Sequence, residues 1–307
     1  MTNDKINGAE SQTVPSSFKA VDILLLALTV LPVAIALVLK VLTTPASEGI
    51  SITGALIYFT IPMPLQNMPI TEAQVNSLLL VIAVLGLSLY LTHGIRAGVQ
   101  TKRQLLLEWV VEKVDSMVVD NMGEFFRGFS PFIASILVIS AFSSLMSLLG
   151  IFAPTSDLNI VAGWAILVFI LITYYKLKGG FFNYAKGFLE PIPVMLPMNI
   201  LGEIATPVSM TFRHYGNVLS GSVIAVLIAS ALQALSSLVL GWMPGFLADI
   251  PLFRVGLPAI LSLYFDIFSG CMQAYIFAML TMMNVSLGFP QDEYEKRLRR
   301  KAAKKNA

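Results

Sequence analysis

Six stretches of this chain stay apolar for long enough to cross a lipid bilayer, and that requirement limits every other choice the fold can make. A hydrocarbon core of about 30 Å takes about 20 apolar residues as a helix. Inside it each backbone group must be bonded within its own segment or barrel. Four ordinary spans are predicted at about 22–42, 74–94, 131–152 and 159–176. The first follows a polar arm with no convincing cleavage site, so it reads as an anchor interrupted by Pro32 and not as a signal peptide. The other two stretches are longer. Residues 194–240 would make about 70 Å of helix, more than an upright crossing needs. With no proline or turn cluster after 208, one tilted helix kinked at Pro207 is predicted. Beyond the turn signal Trp242-Met243-Pro244-Gly245, a second long helix is predicted from about 255 to 288. Only 12% of residues are charged, against about 25% in soluble domains. The expected fold class is an all-α integral membrane protein of about six helices, the last two long and tilted.

Charge placement gives the orientation. Seventeen of the twenty Lys and Arg residues fall in the arm 1–21, the loop 95–130, the segment 176–193 and the tail 290–307. The intervening loops 43–73, 153–158 and 241–253 have none. The positive-inside rule then predicts both termini on the cytoplasmic side of a cell membrane. Residues 1–21 are a cytoplasmic arm, 22–42 an additional helix, 43–73 an external loop, 74–289 the main membrane domain and 290–307 a basic tail. Within 100–128, apolar and charged residues alternate on a helical period. That stretch is either an amphipathic helix along the cytoplasmic surface or a connecting helix packed on other loops.

Composition also excludes chemistry. One cysteine, Cys271, rules out an intrachain disulfide. Two histidines, His93 and His214, leave zinc-hydrolase motifs without ligands. No GxxxxGK[ST] loop is present, so no nucleotide site is expected. Cofactor, metal and nucleic acid are all predicted to be absent. Asn284-Val285-Ser286 has the form of a glycosylation triplet but lies in an apolar run.

Arg213 is the residue that points to function. Its guanidinium stays charged at any accessible pH and costs about 2.5–3.5 kcal/mol at a bilayer centre on insertion scales. At about 100° per residue, with Arg213 at zero, Asn199 and Asn217 fall near 40°, Glu203 and Gly221 near 80°, Ser209 near −40° and Ser220 near −20°. Ser222 falls on the far side. On the last helix Ser262, Asp266, Ser269 and Asn284 fall within about 40° of Gln273. Two long helices thus each carry a polar seam. Such seams serve as ion paths or, for the Ser, Thr and Gly positions, as helix–helix contacts.

These residues resemble the F-type ATP synthase subunit a family from about residue 70 onward. TPVSMTFRHYGNVLSG (206–221) is similar to its Pro-x-Ser-x-x-x-Arg-x-x-Gly-Asn signature. PTSDLN (154–159), EPIPVMLPMNILGEI (190–204) and CMQAYIFAML (271–280) are similar to three further family segments, in the same order. The resemblance implies a stator that works against a c-subunit ring, beside peripheral stalk subunit b and the remaining synthase subunits in the lipid bilayer. Two offset half-channels load and unload the ring carboxylates, coupling an H+ or Na+ gradient to ATP synthesis. It implies that Arg213 faces the ring and that Gln273 sits near it. Asn217 lines the external path, and Glu203, Asn199 and Ser209 the cytoplasmic one. Many members carry an acid or histidine nine residues after the arginine, paired with a group on the last helix. Here those positions are Ser222 and Asp266, which leaves the inlet to Asp266 with water or to a different partner. His214-Tyr215 replaces a commoner Leu-Phe pair, and His214 is expected to pack and not to relay protons. The alternative function is a secondary transporter binding an anion at Arg213, which would call for the internal repeats that this sequence lacks.

Overall fold

The computed structural model describes residues 18–43, 54–64, 66–95, 102–178, 180–189, 192–240, 260–261, 263–291 and 294. The predicted N-terminal arm before residue 18, the 241–253 turn, Ser262 and most of the basic tail lie outside them. The described helices are α1 (Phe18–Thr43), α2 (Glu72–Thr92), α3 (Lys102–Met122), α4 (Ser130–Leu148), α5 (Leu158–Lys178), α6 (Phe181–Gly187), α7 (Leu196–Leu240) and α8 (Gly270–Gly288). A π-helical turn, Leu263–Ser269, leads into α8. Six of the described helical segments are long and apolar enough to span a membrane.

Local chemistry accounts for the boundaries. The backbone N–H of Thr71 donates to Gln74 Oε1 at 3.2 Å, tying down the start of α2. Pro131 occupies the first turn of α4, where its missing N–H removes no helical bond. That helix stops at Gly150, whose φ of 72° lies in the left-handed region. The span predicted at 131–152 therefore ends a turn early. Helix α7 runs through Pro207 for 45 residues, about 67 Å of rise against a core of about 30 Å.

Between α1 and α2 the all-α membrane bundle carries one short extended element. Strands β1 (Ile57–Ile61) and β2 (Met68–Thr71) form an antiparallel hairpin that delivers the chain directly into α2. Its β-branched and aromatic residues favour extended backbone. One expectation needs correction: the last helix does not keep an α register upstream of Gln273. The π turn advances less per residue, so Asp266 rotates away from the seam angle that a uniform helix assigns it.

Helices α2, α4, α5, α7 and α8 alternate in direction, giving the bundle a hairpin end and a basic end. Val118, Met122, Phe126, Ile133, Val168 and Phe277 belong to one core cluster joining α3, α4, α5 and α8. Ala36, Leu80, Met146 and Ile151 form a second, which seats α1 on α2 and α4. Between lipid-facing helices the close approach rests on van der Waals packing through small residues. Helix α1 is also held at both ends. Asp22 pairs with Arg103 at 3.2 Å, and Lys40 pairs with Glu72 at 3.6 Å.

Gly270 gives a test of the packing. A methyl group added there would collide with the Ser144 side chain of α4. Gly270→Ala is therefore expected to destabilise the bundle by about 1–3 kcal/mol, read as a lower midpoint of thermal unfolding in detergent. Adding Ser144→Gly should restore most of the loss. A single variant as stable as the parent would show that α4 and α8 are not packed this closely.

Candidate functional site

Helix α7 presents three different surroundings around its circumference. His214, Met210, Thr211 and Gly221 are buried, which sets the inward direction about 100° from Arg213. Phe212, Ser209, Leu219 and Ser220 are exposed, so the arginine lies at the edge of the outer face. Arg213 is itself exposed. Among the described residues it makes no ion pair or hydrogen bond. A structural ion pair within the described bundle therefore does not account for it.

His214, its neighbour, faces inward, about 100° round the helix. The ring is fully buried, edge-on to Phe277 at 5.4 Å and to Trp164 at 6.1 Å. Its Nε2 lies 3.5 Å from Ser140 Oγ. This is a packed, dry position.

Asn217 and Asp266 come together at the hairpin end. The Asn217 amide donates to Ser269 Oγ at 3.0 Å, and that hydroxyl lies 3.3 Å from Asn217 Oδ1. Asn217, Asp266, Ser269, Ser144, Ser147 and Ser222 line a cavity of about 230 Å³. The placement of Ser222 corrects the helical wheel. It shares this cavity because the cavity opens on the inward flank of α7 and not on the arginine's face. Its hydroxyl nonetheless donates to the Val218 carbonyl at 2.8 Å.

Glu203 and Asn199 come together at the basic end. Glu203 Oε1 and Oε2 accept from Lys176 Nζ at 2.8 and 2.7 Å, and the Tyr184 hydroxyl donates to Oε1 at 3.3 Å. Burial, with the Glu203 charge beside it, raises the Tyr184 phenol above its ordinary value, which keeps it a donor. The Asn199 amide donates to the Phe188 carbonyl at 2.9 Å. These four residues line a cavity of about 520 Å³. A smaller one of about 170 Å³, lined by Lys176, Glu203, Thr206 and Asn284, adjoins it. Ser209 is not among the residues lining either cavity; it is exposed, one turn from Arg213 on the outer face.

Gln273 is buried at 4% exposure. Helices α7 and α8 run antiparallel and Asn217 is tied to Ser269. Four residues back in α7 and four on in α8 then bring Arg213 and Gln273 to the same level.

Sequence reasoning missed two features. One is Lys176 as the partner of Glu203, since both look like ordinary charges at helix ends. The other is the row Ser140, Ser143, Ser144 and Ser147 on α4. Its i, i+3, i+4, i+7 spacing was available as a signal of a polar helix face. Ser143 lies 3.0 Å from the Thr155 hydroxyl, and Ser144 and Ser147 wall the Asp266 cavity.

Chemically, the arrangement offers a permanent cation on an outer helix face with no partner among the described residues. Polar cavities approach that helix from opposite ends of the bundle. Among the described residues no cluster of His, Cys, Asp and Glu is suited to hold a metal ion.

Comparison with known proteins gives the relationship. The family described as ATP synthase A chain matches residues 75–286. A protein of Crocosphaera subtropica named ATP synthase subunit a 1 is 29% identical over 214 residues, 69% of this chain and 83% of its own length. One of Propionigenium modestum, named ATP synthase subunit a, sodium ion specific, is 29% identical over 213 residues, 64% of this chain and 66% of its own. ATP synthase subunit a of Acidothermus cellulolyticus is 30% identical over 213 residues, 66% and 70% of the two chains. A match extending over more than half of the chain, through both long helices that carry the cavities, shows that this protein belongs to the ATP synthase A chain family.

Proposed function

We propose that this chain is the ion-translocating stator subunit of an F-type ATP synthase, working against a ring of c subunits and held by peripheral stalk subunit b. The observation that carries the reading is Arg213: a permanent charge, exposed on a membrane-spanning helix, with no counter-ion among the described residues. A charge so placed calls for an acidic partner outside the chain, and the passing ring carboxylates supply one.

In this reading the hairpin-end cavity, with Asp266 and Asn217, is the external half-channel. The basic-end cavity, with Glu203, Asn199, Lys176 and Tyr184, is the cytoplasmic one. Both termini then lie on the cytoplasmic side of a bacterial cell membrane. An ion enters at one end, neutralises a ring carboxylate, rides the ring, and leaves at the other. Along α7, Glu203 lies about 15 Å below Arg213 and Asn217 about 6 Å above it, so the guanidinium stands between the two openings. It favours the ionised carboxylate passing it and repels a cation trying to cross directly. Each unit charge crossing is worth about 2.3 kcal/mol per 100 mV, which a direct leak would dissipate. Gln273, level with the arginine, supplies neutral hydrogen-bonding groups beside it, and Ser209 extends the polar edge toward the ring. The transported ion is H+ or Na+. The name of the Propionigenium modestum relative specifies sodium for that protein, and sodium dependence of the purified complex across a range of pH decides it here.

Replacing Arg213 by Ala is expected to abolish ion-driven ATP synthesis while the complex still assembles, measured on reconstituted vesicles with an imposed gradient. Retained coupled synthesis would overturn the assigned role. Asp266→Asn removes the one carboxyl that the described residues contribute to the hairpin-end cavity, so passive ion flux through the membrane sector should fall by about tenfold or more, the size expected for loss of a positioned proton-transfer group. Unchanged flux would mean that the inlet runs elsewhere.

A further inference from the structure

The family match begins at residue 75, so α1, the hairpin and the first residues of α2 lie outside it. This N-terminal unit nevertheless reaches the candidate ion path. Lys40, Gly54 and Ala55 form part of the wall of a cavity of about 520 Å³, and Asp157, Tyr215 and Leu219 line it from other elements. That cavity shares Ser147, Ser156, Ser222 and Val226 with the smaller one at Asp266. The two cavities adjoin along these residues.

Behind Lys40 stands Glu72, which is 2% exposed. The ammonium lies 3.6 Å from Glu72 Oε1, close enough to pair the charges and longer than a direct hydrogen bond. A carboxylate buried this deeply is costly without a counter-charge. Asp157 lines the chamber itself, and its carboxylate accepts the backbone N–H of Asn159 at 2.8 Å. Among the described residues at the mouth, Lys40, Glu72 and Asp157 sum to one net negative charge.

We propose that α1 and the hairpin segment are the outer wall of the vestibule leading to Asp266, and that the Lys40–Glu72 pair sets the cation preference at its mouth. Lys40 moderates the negative potential created by two carboxylates, and Glu72 in turn prevents Lys40 from turning the mouth neutral. Neutralising either partner must then change the selectivity in opposite directions. With Glu72 ionised, Lys40→Gln leaves two negative charges among these three groups and Glu72→Gln leaves no net charge. Of the three, the double variant keeps Asp157 and should resemble the parent. The proposal rests on reading the Asp266 cavity as an ion path, but its test does not use transport.

The test is thiol labelling of the assembled complex in native membranes. Cys271, the chain's own exposed thiol, is first removed by Cys271→Ser, and Ser147→Cys places a thiol where the chambers meet. Membrane-impermeant methanethiosulfonates, one cationic and one anionic, are applied from the hairpin side. The readout is the ratio of their labelling rates. Lys40→Gln should raise the cationic-to-anionic ratio about threefold or more at low salt, and Glu72→Gln should lower it by a similar factor. Both effects should shrink at high ionic strength. The proposal is overturned if the single variants leave the ratio unmoved, if both move it the same way, or if the parent's thiol does not react from that side. Should Glu72→Gln not assemble, Lys40→Gln and the double variant still decide it: a ratio that rises in one and returns in the other supports the pair, and any other pattern refutes it. Flux through Asp266→Asn tests the underlying path separately.

Discussion

A guanidinium that cannot be neutralised and has no counter-ion among the described residues sets the terms for the rest of this bundle. Charge in a hydrocarbon medium is tolerated only beside another charge, a polar cavity or water. Here the helix that carries it divides the work by face. His214 and Met210 anchor α7 in the dry core, whereas Phe212 and Ser209 leave the opposite side open. Arg213 sits on the boundary between these zones. An inward turn would place it beside Trp164 and Phe277, where a bare cation would lose its hydration with only ring faces in return. The His214 packing therefore also fixes the direction of its neighbour.

The two ends of α7 solve the problem of buried polarity differently. At the basic end a full charge, Glu203, is matched by a full charge, Lys176, at 2.7 Å, with the Tyr184 hydroxyl as a further donor. At the hairpin end the lining of the Asp266 cavity is mostly neutral: hydroxyls from four elements and the Asn217 amide. One end is a compensated pair and the other a polar chamber around a single carboxyl. In the proposed function, that difference separates the path into which ions are released from the path through which they are drawn.

Much of the architecture was legible in the sequence because bilayer thickness and charge placement act on single residues. The helix spans emerged to within a few residues, and so did the uninterrupted 45-residue α7. The pairing of polar residues along each long helix was partly visible. Asn199 and Glu203 do share a cavity, as do Asn217 and Asp266. What was not legible depended on tertiary facts. A uniform 100° wheel cannot register the π turn at Leu263–Ser269, which re-aims Asp266. Nor can it show that Ser222, far from Arg213 on the wheel, lies on a cavity that opens on another flank. The hairpin was hidden because Gly, Pro and polar residues around it read as loop. The Lys176–Glu203 pair was hidden because its members lie 27 residues apart.

Serine is the residue that lets this interior be polar without losing its helices. In α4 the side chain of Ser144 bonds the Ser140 carbonyl at 3.3 Å, and in α7 that of Ser222 bonds Val218. Such back-bonding keeps a hydroxyl satisfied when the chamber is dry. The same hydroxyl can accept from water when the chamber is wet, at little cost in structure. A titratable side chain at position 222 would instead bring a second charge into a space of about 230 Å³ that already holds Asp266. Two carboxylates that close would couple and raise each other's proton affinity. With Ser222 in that place, Asp266 is the one titratable group among the described residues that line the chamber.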